Sequence, residues 1–572
     1  MRKSRIGVTP TSAGRMWSRR EVLARGAGAA SVLALPQLFI PNAWGQTTTF
    51  DYYISTTGND SNPGTLSAPW ALTSFIYNSA NYNKMAGKRI GLIAGNYQIT
   101  SAFPEQGGAS AYGWSRLTVP NGTSANPTYV ASSGTNGNYS ARAAVITFTD
   151  TTYTNQGHPA TDNVLIGGNP NGGNANIVID GITLNGNGLA IHTAAGAGRL
   201  INFVGASATN TASSSGSSGY TGIVVENCEI YNMNPWPTGA GGWPGGNYAL
   251  VSFESLQNAV VKNNYIHSIT LGSTCSAQHV AACYQISCAN TLYQYNTVAN
   301  CPDCGGFWSK FGSTGSTAEY NYFSNVCTST SGTLSGSGAI GDLCGVIMHW
   351  DGTQGTPNSG PGDTTQLVHH NVFDGCGRPF EGASGSPNGI SQSTNVYNNT
   401  VYETLTTACE GWLTGSNSGA QVQYYNNIYM TTNGSGGRNQ GKIVLTSGLF
   451  SKLNNNCYFS TTGAYSGFWY IYQGSSYAAF ASWKSEVGGI LSGSESNSIN
   501  VNPQFSLPSG YVAGGGAVQF QLAAGSPCIG KGSGGGNIGA WDGSATQIGC
   551  SFGSGSVSSA LPVPVAPVLT IS

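Results

Sequence analysis

The chain has 572 residues, 83 of them Gly, and its 21 Lys+Arg and 22 Asp+Glu make up only 8%, where an average soluble protein is about 25% charged. Disorder is excluded by 12 Trp, 29 Tyr and 19 Phe in a chain that is 39% hydrophobic, because disordered chains are charged and poor in aromatics. A collagen helix is excluded as well, since Gly has no three-residue period and there are only 24 Pro.

The net charge of −1 conceals an uneven distribution: seven basic residues and one acid, Glu21, lie in the first 25 positions, leaving 14 basic against 21 acidic residues beyond them. That acidic balance excludes a basic nucleic-acid-binding face, so no nucleic-acid partner is expected. The basic start contains Ser18-Arg19-Arg20-Glu21-Val22-Leu23, then a modestly apolar run from Ala27 to Ile40 and the small residues Ala43 and Gly45. This resembles a twin-arginine export signal over residues 1–45, cleaved after Gly45, and implies a periplasmic or secreted bacterial protein. A membrane anchor would need about 20 apolar residues; Pro36 interrupts a shorter run, and no later segment is longer, so no membrane span is expected.

The 13 Cys leave one unpaired if the rest form bridges, and export permits disulfides. Cys301-Pro-Asp-Cys304 has CxxC spacing but no second ligand pair, so a local disulfide or plain thiols are expected there and not zinc.

From Val225 to Phe459 one short phrase recurs: alternating residues, Asn, one residue, then a β-branched or aromatic residue. Its Asn positions are 264, 296, 321, 371, 399 and 427, with Cys228 and Cys457 read into the same column, at steps of 36, 32, 25, 50, 28, 28 and 30 residues. Strand-type alternation at this period, with no amphipathic helical pattern, predicts an all-β, single-stranded parallel β-solenoid with one coil per repeat. Asn suits the column because it tolerates a left-handed bend and its amide can bond to the coils above and below. Residues 205–219 read as a loop, and 551–572 as a disordered Pro/Ser-rich tail, which bounds the solenoid at 46–550.

With these phrases the chain resembles the right-handed parallel β-helix proteins of the pectate-lyase-like superfamily. The opening Tyr52-Tyr53-Ile54 with Gly58-Asn59-Asp60 and Pro63-Gly64 is similar to the first strand and turn of secreted members, and Ser526-Pro527-Cys528 with Asn537-Ile538-Gly539-Ala540-Trp541-Asp542 to their closing coil. The superfamily holds lyases, hydrolases, epimerases, esterases and adhesins, so the resemblance implies the fold and a carbohydrate partner. A capped β-helix of this kind is a monomer.

Equivalent positions on adjacent coils lie about 4.8 Å apart, so an outward column on one sheet makes a groove for an extended polymer. The strands preceding the Asn phrases, at 250–254, 284–288, 307–311, 346–351, 378–381 and 409–413, are the candidates. With Phe253, Ile286, Phe311, Met348, Phe380 and Leu413 inward, alternation puts Glu254, Gln285, Trp308, Lys310, His349, Asp351, Glu381, Glu410 and Trp412 outward. The 50-residue step between Asn321 and Asn371 adds a long loop beside Lys310 and His349, and long loops in compact folds tend to carry function.

Gly305-Gly-Phe-Trp-Ser-Lys310 is similar to the lysine-bearing strand of some lyases of the superfamily. The expected chemistry is β-elimination on a uronate-containing polysaccharide, with Lys310 as base, His349 assisting protonation or neutralisation and Glu381 in the same site. Trp308, Trp350, Trp412, Arg378, Glu254 and Glu410 would bind the chain. Ca²⁺, held by Asp303, Asp342, Asp351 or Asp363, would neutralise the uronate carboxylate. Hydrolysis by a carboxylate pair drawn from Asp351, Glu381, Glu410 and Glu254 is the alternative, and polysaccharide binding without turnover is the third reading. Polygalacturonase signatures and the Trp-Ile-Asp-His phrase of one pectate-lyase family are absent, and His369-His370 are expected away from the groove, one packed and one in solvent.

Overall fold

The computed structural model describes residues 49–553 apart from 101–102, 104–105, 107–113, 151–162, 189–197, 206–219, 234–247, 270–279, 303, 311–312, 329–344, 352–365, 385–393, 405–410, 414–421, 433–442, 446–449, 462–469, 473–474, 478 and 507–509. One coil shows how the rest are built. Val280–Ile286 lies in a first parallel sheet, Leu292–Gln294 in a second and Thr297–Cys301 in a third; Gly305–Lys310 then returns to the first sheet, one rung on. Repetition gives three sheets of 12, 12 and 11 strands among the described residues, with neighbours three strands apart in the chain except at two sheet ends, where Tyr52–Ile54 pairs with the next strand Arg89–Ile93 and Tyr470–Tyr472 pairs antiparallel with Ser475–Tyr477. This is the single-stranded parallel β-helix that the repeat predicts. Inward residues such as Val251, Cys283, Phe307, Val298, Phe323 and Phe373 form one continuous core. Among the described residues no helix is long and apolar enough to cross a membrane.

The turn between the second and third sheets accounts for the Asn phrase, with two corrections. Asn264, Asn296, Asn321, Asn371, Asn399, Asn427 and Asn456 stack as a buried ladder. Asn321 is typical: its Oδ1 accepts from Asn296 N at 2.8 Å and Asn296 Nδ2 at 3.1 Å, while its Nδ2 donates to Tyr293 O and Asn371 Oδ1, both at 2.9 Å. The left-handed bend falls one residue earlier, on Asn263, Tyr295, Tyr320, His370, Asn398, Asn426 and Asn455, with φ between 52° and 58°. That bend turns the next side chain along the helix axis, where its amide meets its neighbours. Cys228 opens the ladder, donating its N–H to Asn264 Oδ1 at 2.9 Å, but Cys457 is not a rung: Asn456 is, and Cys457 pairs with Ile428 in the third sheet.

The end of the chain does not form a closing coil. After the helix Phe480–Ile490, Ala517, Phe520, Ile538 and Trp541 pack on the outer face of the third sheet, against Tyr322, Val372, Tyr402, Ile428 and Met430. Asp374 fixes this covering, accepting from Tyr322 and Tyr511 hydroxyls at 2.6 Å each and from Gly514 N at 3.1 Å. Residues 533–553 then run back along the Asn turn as a strap. Ser533 N donates to Asn426 Oδ1, Ala540 N to Thr400 Oγ1, Gly549 N to Tyr320 O, Cys550 N to Thr297 Oγ1 and Ser551 N to Asn263 Oδ1.

Candidate functional site

Pairing in the first sheet, the expected groove sheet, fixes its columns. One runs Asn202, Ser252, Tyr284, Trp308, Met348, Glu381, Trp412; two residues further along the strands another runs Val204, Glu254, Ile286, Lys310, Trp350, Ala383. Between them lie Phe203, Phe253, Gln285, Ser309, His349, Gly382 and Leu413. Phe203 and Phe253 of this middle column belong to the core, and Gln285 is buried there, donating to Ser309 Oγ at 2.8 Å and accepting from Tyr293 OH at 3.2 Å.

Two expectations are therefore corrected. Gln285 is an inward residue and Ile286 sits in the outward column with Glu254. His349 falls opposite Ser309 in the middle column, and Trp350, not His349, falls opposite Lys310. Asp351 moves with His349 and ends its strand opposite Ser384. For His349 the cause is a break in alternation, since the consecutive Val346 and Ile347 both enter the core, as Leu200 with Ile201, Leu250 with Val251 and Ala282 with Cys283 do on other rungs; for Gln285 it is that the apolar Ile286 packs outward with Tyr284 and Trp308.

The outward face is closed over part of its length. Trp308 is wholly buried, packed with Tyr284, Ala249 and Ala281, so it is a wall residue and not an open platform for a sugar ring. Gly305 makes room for it: a Cβ there would lie 2.0 Å from Trp308 Nε1. Glu254 is engaged by Arg199 of the preceding rung, with side chains 13% and 4% exposed. Asn202 and Ser252 are partners on the same two rungs, and Asn202 Oδ1 and Ser252 Oγ are buried without a hydrogen-bond partner among the described residues.

Of the remaining candidates, Lys310, Trp350, Arg378, Glu381 and Trp412 lie on groove-sheet strands, with Arg378 opposite Gly345 and Glu381 opposite Trp412. Asp303, Asp342, Asp363 and Glu410 lie outside the described residues. Among the described residues no group of three or more His, Cys, Asp or Glu could hold a metal ion. Cys301 and Cys304 are both buried, with Cys304 Sγ 3.7 Å from Cys301 O. Arg199, Asn202, Ser252 and Tyr284 were not singled out from sequence; a polar residue four positions after each groove-strand start, compared rung by rung, is the signal that finds the last three.

A second ionisable cluster sits elsewhere, on the second sheet. Asp180 accepts from Tyr139 OH at 2.8 Å and Asn227 Nδ2 at 2.7 Å, and also from Tyr129 OH. Burial pushes its carboxyl up, against the pull of those bonds. Glu226, its neighbour on the next rung, is pushed up to about 7 by burial and then by the Asp180 charge, with Lys262 opposing.

No family model and no curated protein matches the chain. Solved structures do. Pectate lyase Pel9A is 15% identical at a TM-score of 0.40, with 87% of this chain and 98% of that chain covered. The A-module of the Azotobacter vinelandii mannuronan C-5 epimerase AlgE4 is 12% identical at 0.38, covering 75% and 92%. A rhamnogalacturonan lyase is 14% identical at 0.31, covering 71% and 87%. The fold assignment stands on the strand pairing of this chain itself.

Proposed function

We propose that the chain is an exported enzyme that cleaves a uronate-containing polysaccharide by β-elimination, with Lys310 as the base. One observation carries the reading. Lys310, Glu254, Trp350, Glu381 and Trp412 hold register positions in two columns of the same parity on one sheet, in a chain with 14 basic residues beyond position 25.

In the proposed step the neutral amine of Lys310 takes the proton from the carbon next to the uronate carboxylate. The C–H electrons form the new double bond, and the bond to the neighbouring glycosidic oxygen breaks. A lysine base must be held neutral by desolvation or a nearby cation. Arg378 would neutralise the carboxylate, a task that Ca²⁺ would share when bound beside the loop acids Asp303, Asp342 and Asp363. Glu381, two rungs from Lys310 and so about 10 Å along the axis, would return a proton to the leaving oxygen. Trp350 and Trp412 would supply faces for pyranose rings.

The test is incubation of the chain with pectate, alginate and glycosaminoglycans, with and without Ca²⁺. Ultraviolet absorbance from an unsaturated uronate is expected, reduced about 10²–10⁴-fold in a folded Lys310→Ala variant. Full activity in that variant removes Lys310 as base. New reducing ends without absorbance point to hydrolysis by a carboxylate pair, and binding with neither product points to a non-catalytic protein.

A further inference from the structure

His369 and His370 are both buried, and they lie at the centre of a chain of polar contacts that joins the helix to its C-terminal strap. Glu319 and His369 are register partners on adjacent rungs of the second sheet, with His369 Nε2 3.2 Å from Glu319 Oε2. His369 Nδ1 lies 2.8 Å from His370 Nδ1, and His370 Nε2 lies 3.0 Å from Asp542 Oδ2 on the strap. The positive φ of His370 allows two consecutive rings to meet edge to edge.

Both rings are held in place. His369 stacks on Tyr397 at 4.7 Å and His370 on Tyr320 at 4.8 Å. The ends are held too: Gln294 donates to Glu319 Oε1 at 2.5 Å, Asn398 to Asp542 Oδ2 at 3.1 Å, and Ser544 N and Oγ to Asp542 Oδ1 at 2.8 and 2.6 Å.

Proton counting gives the consequence. The chain has two hydrogen bonds, His369 to His370 and His370 to Asp542, and each needs one proton between its two heavy atoms. Two neutral imidazoles supply two. With both carboxylates ionised, those two bonds leave His369 Nε2 bare at 3.2 Å from Glu319 Oε2, lone pair beside carboxylate, so a third proton favours the closed geometry.

We propose that Glu319, His369, His370 and Asp542 form a pH-dependent latch, closed while the chain holds this third proton and weakened when the proton leaves, so that the strap loosens as pH rises. Burial favours Glu319 as the holder, since it raises that carboxyl. Burial, and then the His370 charge, drive His369 towards neutrality. Against the upward push of burial, hydrogen bonds from His370 and Ser544 keep Asp542 low and ionised. The other groups facing the latch are Lys262, which acts on Glu319 from two rungs away, and Tyr295, Tyr320 and Tyr397, whose hydroxyls burial pushes upward, out of the neutral range. The sign follows: a proton held more tightly in the closed form contributes stability below its pKa there and loses it as pH rises through that value.

The test is hydrogen exchange of the full chain from about pH 5 to about pH 9, across the range where His and raised carboxyls titrate, corrected for intrinsic exchange. Peptides from 533–553 should lose protection by up to about tenfold per pH unit as pH rises from the open-state pKa towards that of the closed latch, the slope for one proton, and change no further above it, while ladder peptides stay protected. His370→Asn keeps the fold testable, because Asn takes the same bend at positions 263, 398, 426 and 455. That variant should show a strap weakly protected at low pH and indifferent to pH. Wild-type protection that is flat across the range, or an unchanged pH slope in His370→Asn, would overturn the latch.

Discussion

The Asn turn and the outward face of the groove sheet belong to the same coils and obey opposite rules. In the turn each interior rung repeats the one before it, seven Asn in series, each bonded to the rungs above and below. On the groove sheet neither outward column from Asn202 to Trp412 or from Val204 to Ala383 carries the same residue on two consecutive rungs. Repetition marks the place where the backbone sets a demand that one side chain meets. Where the ladder of main-chain bonds is self-sufficient, as on the groove sheet, side chains are free to differ, and chemistry can be placed there rung by rung.

The most direct way to break the comparison is at the ladder. Asn321→Ala would take this partner from Asn296 N and Tyr293 O, while Asn296 Nδ2 keeps Val261 O and Asn371 Oδ1 keeps Asn321 N, at a cost of about 2–6 kcal/mol when each of the two buried groups loses about 1–3. A loss of unfolding free energy in urea of less than a quarter of that would mean the ladder tolerates gaps and is not what holds the turn.

On the groove sheet the largest single effect should come from Arg199→Met, which strands the buried Glu254 carboxylate and should cost about 3–5 kcal/mol. Arg199→Met with Glu254→Leu should recover most of that loss. If the double variant is as unstable as the single one, the pair is not the cause.

Glu226 lies outside both regions and supplies a contrast in sign. Its carboxyl is raised from 4.5 to about 7, first by burial, so the folded state binds the proton more tightly than the unfolded one. Stability is therefore greatest below pH 4.5 for this group and falls between 4.5 and about 7. Glu226→Gln should stabilise the protein by up to about 3 kcal/mol at pH 8, from about 1.4 kcal/mol per unit, and by almost nothing at pH 4. An equal effect at both values would contradict the assignment.

The smallest effect is expected at Gly305. A methyl group there would lie 2.0 Å from Trp308 Nε1, forcing the indole to move at a cost of about 1–3 kcal/mol. The change should appear in Trp fluorescence, and an unaltered spectrum would show that the wall can shift without loss.

These two regions also differ in what could be read from the sequence. The ladder was legible because hydrogen-bonding demand writes the same letter at each turn. Its last rung was misplaced because Asn455-Asn456-Cys457 offers two Asn, and only the pairing of Cys457 with Ile428 separates bend from rung. The groove columns were legible where the apolar residue beside a polar one faces the core, as at Phe253, and slipped at Gln285, where the apolar Ile286 faces outward, and at His349, after two successive residues, Val346 and Ile347, enter the core. Alternation counted through such a pair inverts every residue beyond it. Arg199 and Asp542 were missed because each depends on a partner far along the chain, Glu254 and His370, which no local pattern predicts.

The strap has a consequence for how the solenoid can vary in length. Because each interior rung of the ladder is satisfied by an identical neighbour, removing the 28 residues between Asn371 and Asn399 would rejoin Asn to Asn with no local misfit. Residues 533–553, however, touch Asn426, Thr400, His370, Tyr320, Thr297 and Asn263 in that order. A helix one coil shorter would set every later contact against the wrong partner. The strap thus acts as a ruler laid along the stack: it counts coils, and a change in their number requires a matching change in a segment more than a hundred residues away.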